Sequence, residues 1–157
     1  MVQSDFHKLF SNEIRTFSFI LDLLFIVENE LVPCINDETI IIMEKYYLDT
    51  LIYAPILGTS ESLVKRVSLC VPEPDLYIFL DVTPEEAYKR SVQRSEKSGV
   101  PLAPKENYDI AVEAYKKYHE YFELTQVKFL QLDGNTSAEE LSKAIITLIS
   151  HTCGELF

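Results

Sequence analysis

The stretch PDLYIFLDVTPEEAYKRSVQRSEKSG, residues 74–99, decides the fold. Its LYIFLDV segment at 76–82 is apolar at successive positions rather than alternate ones. That pattern predicts a buried strand of a parallel sheet, covered on both faces. Thr83, Pro84 and Glu86 follow at once. Thr83 predicts an N-cap, Pro84 suits the first helical turn, and Glu86 completes a capping box. The helix is expected to run through Arg94. Arg90 and Arg94 lie four residues apart, so they share one face of it. Upstream, Pro72-Glu73-Pro74 reads as a rigid connector.

Outward from this unit, TIIIM at 39–43 has strand length and no polar alternation, which predicts a second parallel strand covered on both faces. Residues 127–132 predict a third. Helices are expected at 5–14, 48–53, 61–71 with a Ser60 cap, 107–124, and 137–151 behind the capping box Ser137-x-x-Glu140. The apolar segment FSFILDLLFIVENELV, with its start near Thr16 or Ser18, has apolar residues on all sides and predicts a largely enclosed helix. Residues 33–37 break the pattern, and 95–105 read as a mobile lid loop. Strands separated by helices imply an α/β domain, and ligands of such sheets bind beyond the strands' C-terminal ends. Residues 44–46, 81–83 and 133–135 are expected there.

The length of 157 residues suits one domain. A net charge of −11 argues against a nucleic-acid binder and against docking on an anionic membrane. Half of the fourteen basic residues nevertheless fall between Lys89 and Lys117, as a nucleotide-facing patch or a solvated helix face. Cys34, Cys70 and Cys153 have no metal-ligand spacing and read as free thiols. No metal site is expected. The interrupted apolar run is too short to span a bilayer, and the expected location is the cytoplasm.

Residues 74–99, together with LLFIVENELVPCINDETIIIMEKYYLDTLIY at 23–53, resemble the thymidylate kinases, a branch of the P-loop nucleoside monophosphate kinases. ENYDIAVEAYKKY and FLQLDGNTSAEEL resemble the family's helix after the lid and its last strand and turn. Deoxynucleoside kinases share the 74–99 pattern more loosely. The resemblance implies a three-layer parallel sheet flanked by helices. It also implies transfer of the ATP γ-phosphoryl group to dTMP with Mg²⁺, a nucleotide-biosynthetic reaction, and commonly a homodimer through helices near residues 17–31.

By the same resemblance, Arg90 and Arg94 are the arginines that begin the lid and contact ATP. Guanidinium groups suit that task, binding phosphate bidentately and stacking on bases. The bland alternative is a surface pair with Glu86 or Glu96. Lys45 stands for the arginine that clamps the acceptor phosphate, and Glu44 for the preceding aspartate. A strand-end ion pair is the alternative for both. Phe25 matches the aromatic that stacks on thymine, or is one more core side chain. Asn29 replaces a base-reading arginine. Tyr46 follows the clamp, and Asp49 with Thr50 replaces a small hydroxyl residue. Tyr53 matches the aromatic that packs on the sugar, and Tyr118 a tyrosine of the post-lid helix.

One part has no counterpart. A phosphate-binding loop needs Gly-x-x-x-x-Gly-Lys-Ser/Thr so that backbone N–H groups can curl round the phosphates. The first glycine is Gly58, and none of the four glycines precedes a lysine. The sequence therefore reads as a single incomplete nucleotide-kinase-like domain, 1–157, with the P-loop strand and helix missing. Either the strands at 39–43 and 76–82 pair directly, or another chain or an absent N-terminal segment fills the gap between them. Two functions follow: part of a dTMP kinase inactive alone, or a degenerate relative serving as a binding or structural subunit.

Overall fold

The computed structural model describes residues 10–36, 39–102 and 107–154. Helix α1 (Asn12–Ile26) is capped by Ser11, whose hydroxyl accepts from the Ile14 amide. This cap recruits residues 12–15, so the helix starts ahead of Thr16 and Ser18. Thr16 is instead buried and shares a hydrogen bond of 3.0 Å with Thr59. The helix runs on as a π turn (Val27–Leu31) and a 3-10 turn (Val32–Cys34). Of the helix expected at 5–14, residues 5–9 lie outside the described residues, and 12–14 form the first turn of α1 rather than a helix of their own.

Enclosure of α1 is corrected. Ile20, Val27 and Leu31 are buried, but Ile14, Phe17, Leu21 and Phe25 are 51, 45, 65 and 63 % exposed. The helix packs one face against α2 (Tyr46–Ile56) and the Tyr47 and Val71 side chains. Its apolar residues on the other sides meet no element among the described residues.

The strand expected at 39–43 is not formed. These residues carry no regular structure, and Ile40 and Ile42 are 57 and 77 % exposed. A strand exists only by pairing its N–H and C=O groups with a neighbour. Residues 39–43 have no such ladder among the described residues.

The other two strands form. Strand β1 (Tyr77–Asp81) and strand β2 (Phe129–Asp133) pair in parallel, in register from Tyr77 opposite Phe129 to Asp81 opposite Asp133. Between them come α4 (Pro84–Ser98) and α5 (Tyr108–Leu124), and α6 (Ala138–Gly154) follows β2. Helices dominate this architecture, and its small parallel sheet is compatible with a P-loop-kinase-like α/β fold. Helices α2 and α5 meet the sheet through Leu48, Ile52, Ala114 and Phe122, with Tyr77 and Phe79 packed against them. β1 is only half covered rather than buried, and Leu80 is exposed.

Turn chemistry explains most boundaries. Thr83 caps α4 by accepting from the Glu86 amide, but Glu86 turns its carboxylate to Lys89 and Arg90, so only half of the capping box forms. The box at α6 is reciprocal: Ser137 Oγ accepts from the Glu140 amide, and Glu140 accepts from the Ser137 amide. Helix α4 continues past Arg94 to Ser98, where Gly99 adopts φ +68°. Glycine reaches that left-handed conformation without strain. The loop expected from residue 95 therefore starts only at Gly99, and 103–106 lie outside the described residues. Helix α3 (Glu61–Ser68) ends short of residue 71, and the Ser60 hydroxyl bonds to Ser62 rather than capping.

Candidate functional site

The parallel register brings Asp81 and Asp133 side by side at the C-terminal end of the strand pair. Immediately beyond, the Gly134 amide donates to the Asp81 carbonyl at 2.8 Å. A Cβ on residue 134 would overlap the Val82 side chain and press on that carbonyl. Only glycine fits, and the turn it makes aims its own carbonyl and Asn135 toward α4. Arg90 meets them: Nη1 donates to the Gly134 carbonyl at 3.0 Å and Nη2 to Asn135 Oδ1 at 3.2 Å. Its Nε donates to Glu86 at 3.0 Å. Arg90, followed by Lys89, holds the Glu86 carboxyl below its usual range.

Two hollows flank this contact. One, of about 400 Å³, is lined by Asp81, Thr83, Tyr115, Gln131, Asp133 and Asn135. Within it Gln131 donates to Asp81 at 2.7 Å, and His119 Nε2 lies 3.3 Å from the other Asp81 oxygen. The second is a shallow, open cationic face of α4 that presents Arg90, Gln93, Arg94, Lys97 and Ser98. Arg94 also contacts Ser91 at 3.5 Å. The two arginines thus share one face, and Arg90 is anchored to the loop after β2.

Gly134→Ala is expected to cost about 1–3 kcal/mol by overpacking, read as a lower urea midpoint. It should also free Arg90 from its carbonyl partner. A midpoint equal to the parent's would show that the turn relaxes without cost.

The other expected site residues lie elsewhere: Phe25 on α1, Asn29 in the π turn after it, Glu44 and Lys45 just ahead of α2, Tyr46, Asp49, Thr50 and Tyr53 on α2, and Tyr118 on α5. Lys45 pairs with Glu44 at 3.7 Å, both side chains being exposed. Tyr46 donates to the Pro72 carbonyl at 3.1 Å, and Tyr77 donates to the Tyr47 hydroxyl at 2.7 Å. Of residues 44–46, Tyr46 therefore reaches the connector ahead of β1, whereas 81–83 and 133–135 meet at the strand's end. Tyr53 and Tyr118 pack edge to face at 6.4 Å. Burial first, then the Asp49 carboxylate and Tyr53, push the Tyr118 phenol up. Thr50 is half-buried beside them on α2. Phe25 is exposed on α1, and its carbonyl accepts from Asn29 at 2.8 Å. Lys45 and Arg90 have no partner in common among the bonds above.

Sequence reasoning overlooked His119, Tyr115 and Gln131. The alternation of 127–132 could have placed Gln131 beside Asp81. One histidine and one tyrosine four apart on an aromatic-rich helix carry no such signal. Among the described residues no helix is long and apolar enough to cross a membrane, and no three His, Cys, Asp or Glu residues cluster to hold a metal.

A sequence model of the thymidylate kinase family matches residues 3–145. A probable thymidylate kinase of Sulfurisphaera tokodaii is 29% identical over 111 residues, 70% of this chain and 54% of the relative. One of Pyrobaculum aerophilum is 37% identical over 67 residues, 43% of this chain and 35% of the relative. One of Pyrococcus horikoshii is 24% identical over 144 residues, 90% of this chain and 66% of the relative. The matches thus span about half the length of the first of these relatives and two-thirds of the last.

Proposed function

Because this chain belongs to the thymidylate kinase family, we propose that residues 1–157 carry the acceptor side and the lid arginines of a kinase that transfers the ATP γ-phosphoryl group to dTMP. The observation that carries this reading is Arg90, held against Gly134 and Asn135 at the strand ends with Arg94 on the same helix face. Fixed guanidinium groups at such an edge suit phosphoryl transfer, which relies on positioning and charge. Lys45 with Glu44 would face the acceptor phosphate, while Phe25, Asn29, Tyr46, Asp49, Thr50, Tyr53 and Tyr118 would line the nucleoside. The proposed setting is cytoplasmic nucleotide biosynthesis.

The triphosphate is a different matter. ATP and Mg²⁺ would supply the transferred group and its charge neutralisation, but the described residues do not fit them unaided. No glycine here precedes a lysine. Mg²⁺ on a nucleotide usually takes one or two carboxylates besides the phosphates. Both Asp81 oxygens and one of Asp133 are already engaged, by Gln131, His119 and Asn135. The donor seat would come from a strand and glycine-rich loop outside residues 1–157. That strand would enter beside β1 and complete a three-layer parallel sheet, giving residues 39–43 a ladder to join. The apolar side chains of Phe10, Ile14, Phe17 and Leu21, spaced at helical intervals and exposed, would pair with a second copy.

Calorimetry tests the reading. The chain is expected to bind dTMP more tightly than dUMP and to bind ATP at no measurable level, and to sediment as a dimer. Absence of dTMP binding would end it. A second reading, a non-catalytic relative kept as a binding or structural subunit, is favoured by Lys45, Asn29 and Asp49, because each departs from the family's residue. No nucleotide binding with a stable protein partner would select it.

A further inference from the structure

The chain enters α2 through a conformation that costs energy. Lys45 has φ +63° and ψ −44°, and the Tyr46 amide donates to the Glu44 carbonyl at 2.6 Å. This is the γ-turn of positive φ, the rare and strained form. Tyr46 follows at φ +50°. Two consecutive residues with a Cβ at positive φ persist only where the surroundings force them there.

The source of that force is visible. Lys45 and Glu44 are too exposed for their ion pair to hold a turn. Tyr46, in contrast, is held at three points. Its ring packs on the cluster of Val27, Leu31, Tyr47 and Val71. It meets the Tyr47 ring at 5.1 Å, and its hydroxyl donates to the Pro72 carbonyl at 3.1 Å. Pro72 opens the rigid connector into β1. The ring is thus pinned to the element that sets the sheet, one residue after Lys45.

We propose that Tyr46 is a positioning residue for Lys45: its pinned ring holds Lys45 in the strained γ-turn and so fixes where the lysine presents its ammonium to a phosphomonoester. The proposal rests on the reading that Lys45 faces the acceptor phosphate. A glycine at 45 would make the turn without strain but would lose the cation. Phenylalanine at 46 would keep the cation and the ring but release the tether to Pro72.

The full chain is assayed by urea unfolding and by calorimetry with dTMP. Lys45→Gly is expected to raise the urea midpoint, because strain is relieved. In an unstrained turn glycine's larger loss of chain entropy would lower it instead, and a lowered midpoint overturns the strain. Lys45→Ala is expected to weaken dTMP binding at least tenfold, and Tyr46→Phe three- to tenfold. In the Lys45→Ala background, Tyr46→Phe should have no further effect on binding. An equal loss in both backgrounds would give Tyr46 a merely structural role and overturn the proposal. A parent chain that binds no dTMP removes the role of Lys45, and with it the proposal and the kinase reading, while the urea result still reports on the turn.

Discussion

Replacing Phe122 with alanine is expected to lower the stability of the folded chain by about 3–5 kcal/mol, the cost of emptying a large aromatic site in a core. Phe122 is 5% exposed. Its ring meets Phe79 at 4.8 Å, Phe129 at 4.9 Å, Tyr121 at 5.5 Å and Tyr77 at 5.7 Å. It therefore joins α5 to both strands at once. Aromatic pairs add a further stabilisation beyond the area they bury. The loss is a large share of the roughly 5–15 kcal/mol that a domain possesses. Urea unfolding followed by circular dichroism measures it. A loss under 1 kcal/mol would mean that α5 does not seal this sheet.

The second large effect is alkaline. Burial raises the Tyr47, Tyr77 and Tyr118 phenols, with the hydrogen bond to Tyr121 adding to the shift at Tyr77. A phenol raised in the folded state stays protonated there after the unfolded chain has begun to lose its proton. Above the ordinary value of 10.0 the folded state therefore binds more protons, and stability falls as pH rises. Below it, the contribution is fully present. Each group can supply a slope of up to about 1.4 kcal/mol per pH unit. Urea midpoints should be unaffected by these groups between pH 7 and 9 and drop steeply past pH 10. Tyr118→Phe should make that drop shallower. An unchanged slope in this variant would show that its phenol ionises freely in the folded chain.

The strand-to-helix unit at 74–99 was legible because every signal in it is local. An apolar run, a capping threonine and a proline at the first turn lie within ten residues, and β1 and α4 formed nearly as read. The second capping box, Ser137 with Glu140, was equally readable. Residues 39–43 show the opposite case. Their composition is that of a strand, but strand formation needs a hydrogen-bonding neighbour, and none pairs with them among the described residues. Helix α1 misled in the same way. Apolar residues on every side say that a helix would be covered, not what would cover it. At the candidate site, the spacing of Arg90 and Arg94 predicted a shared face. The anchoring of Arg90 on Gly134 and Asn135 depends on how β2 docks beside β1, which no local pattern carries. The strained turn at Lys45 was invisible, since neither lysine nor tyrosine favours positive φ.

The most direct test of the account is phosphoryl transfer by purified residues 1–157 and nothing else. The chain is incubated with ATP, Mg²⁺ and dTMP, and dTDP is separated and counted. No dTDP above the enzyme-free control is expected, because none of the four glycines precedes a lysine as a phosphate-binding loop requires. Steady, protein-dependent formation of dTDP and ADP in equal amounts would contradict it.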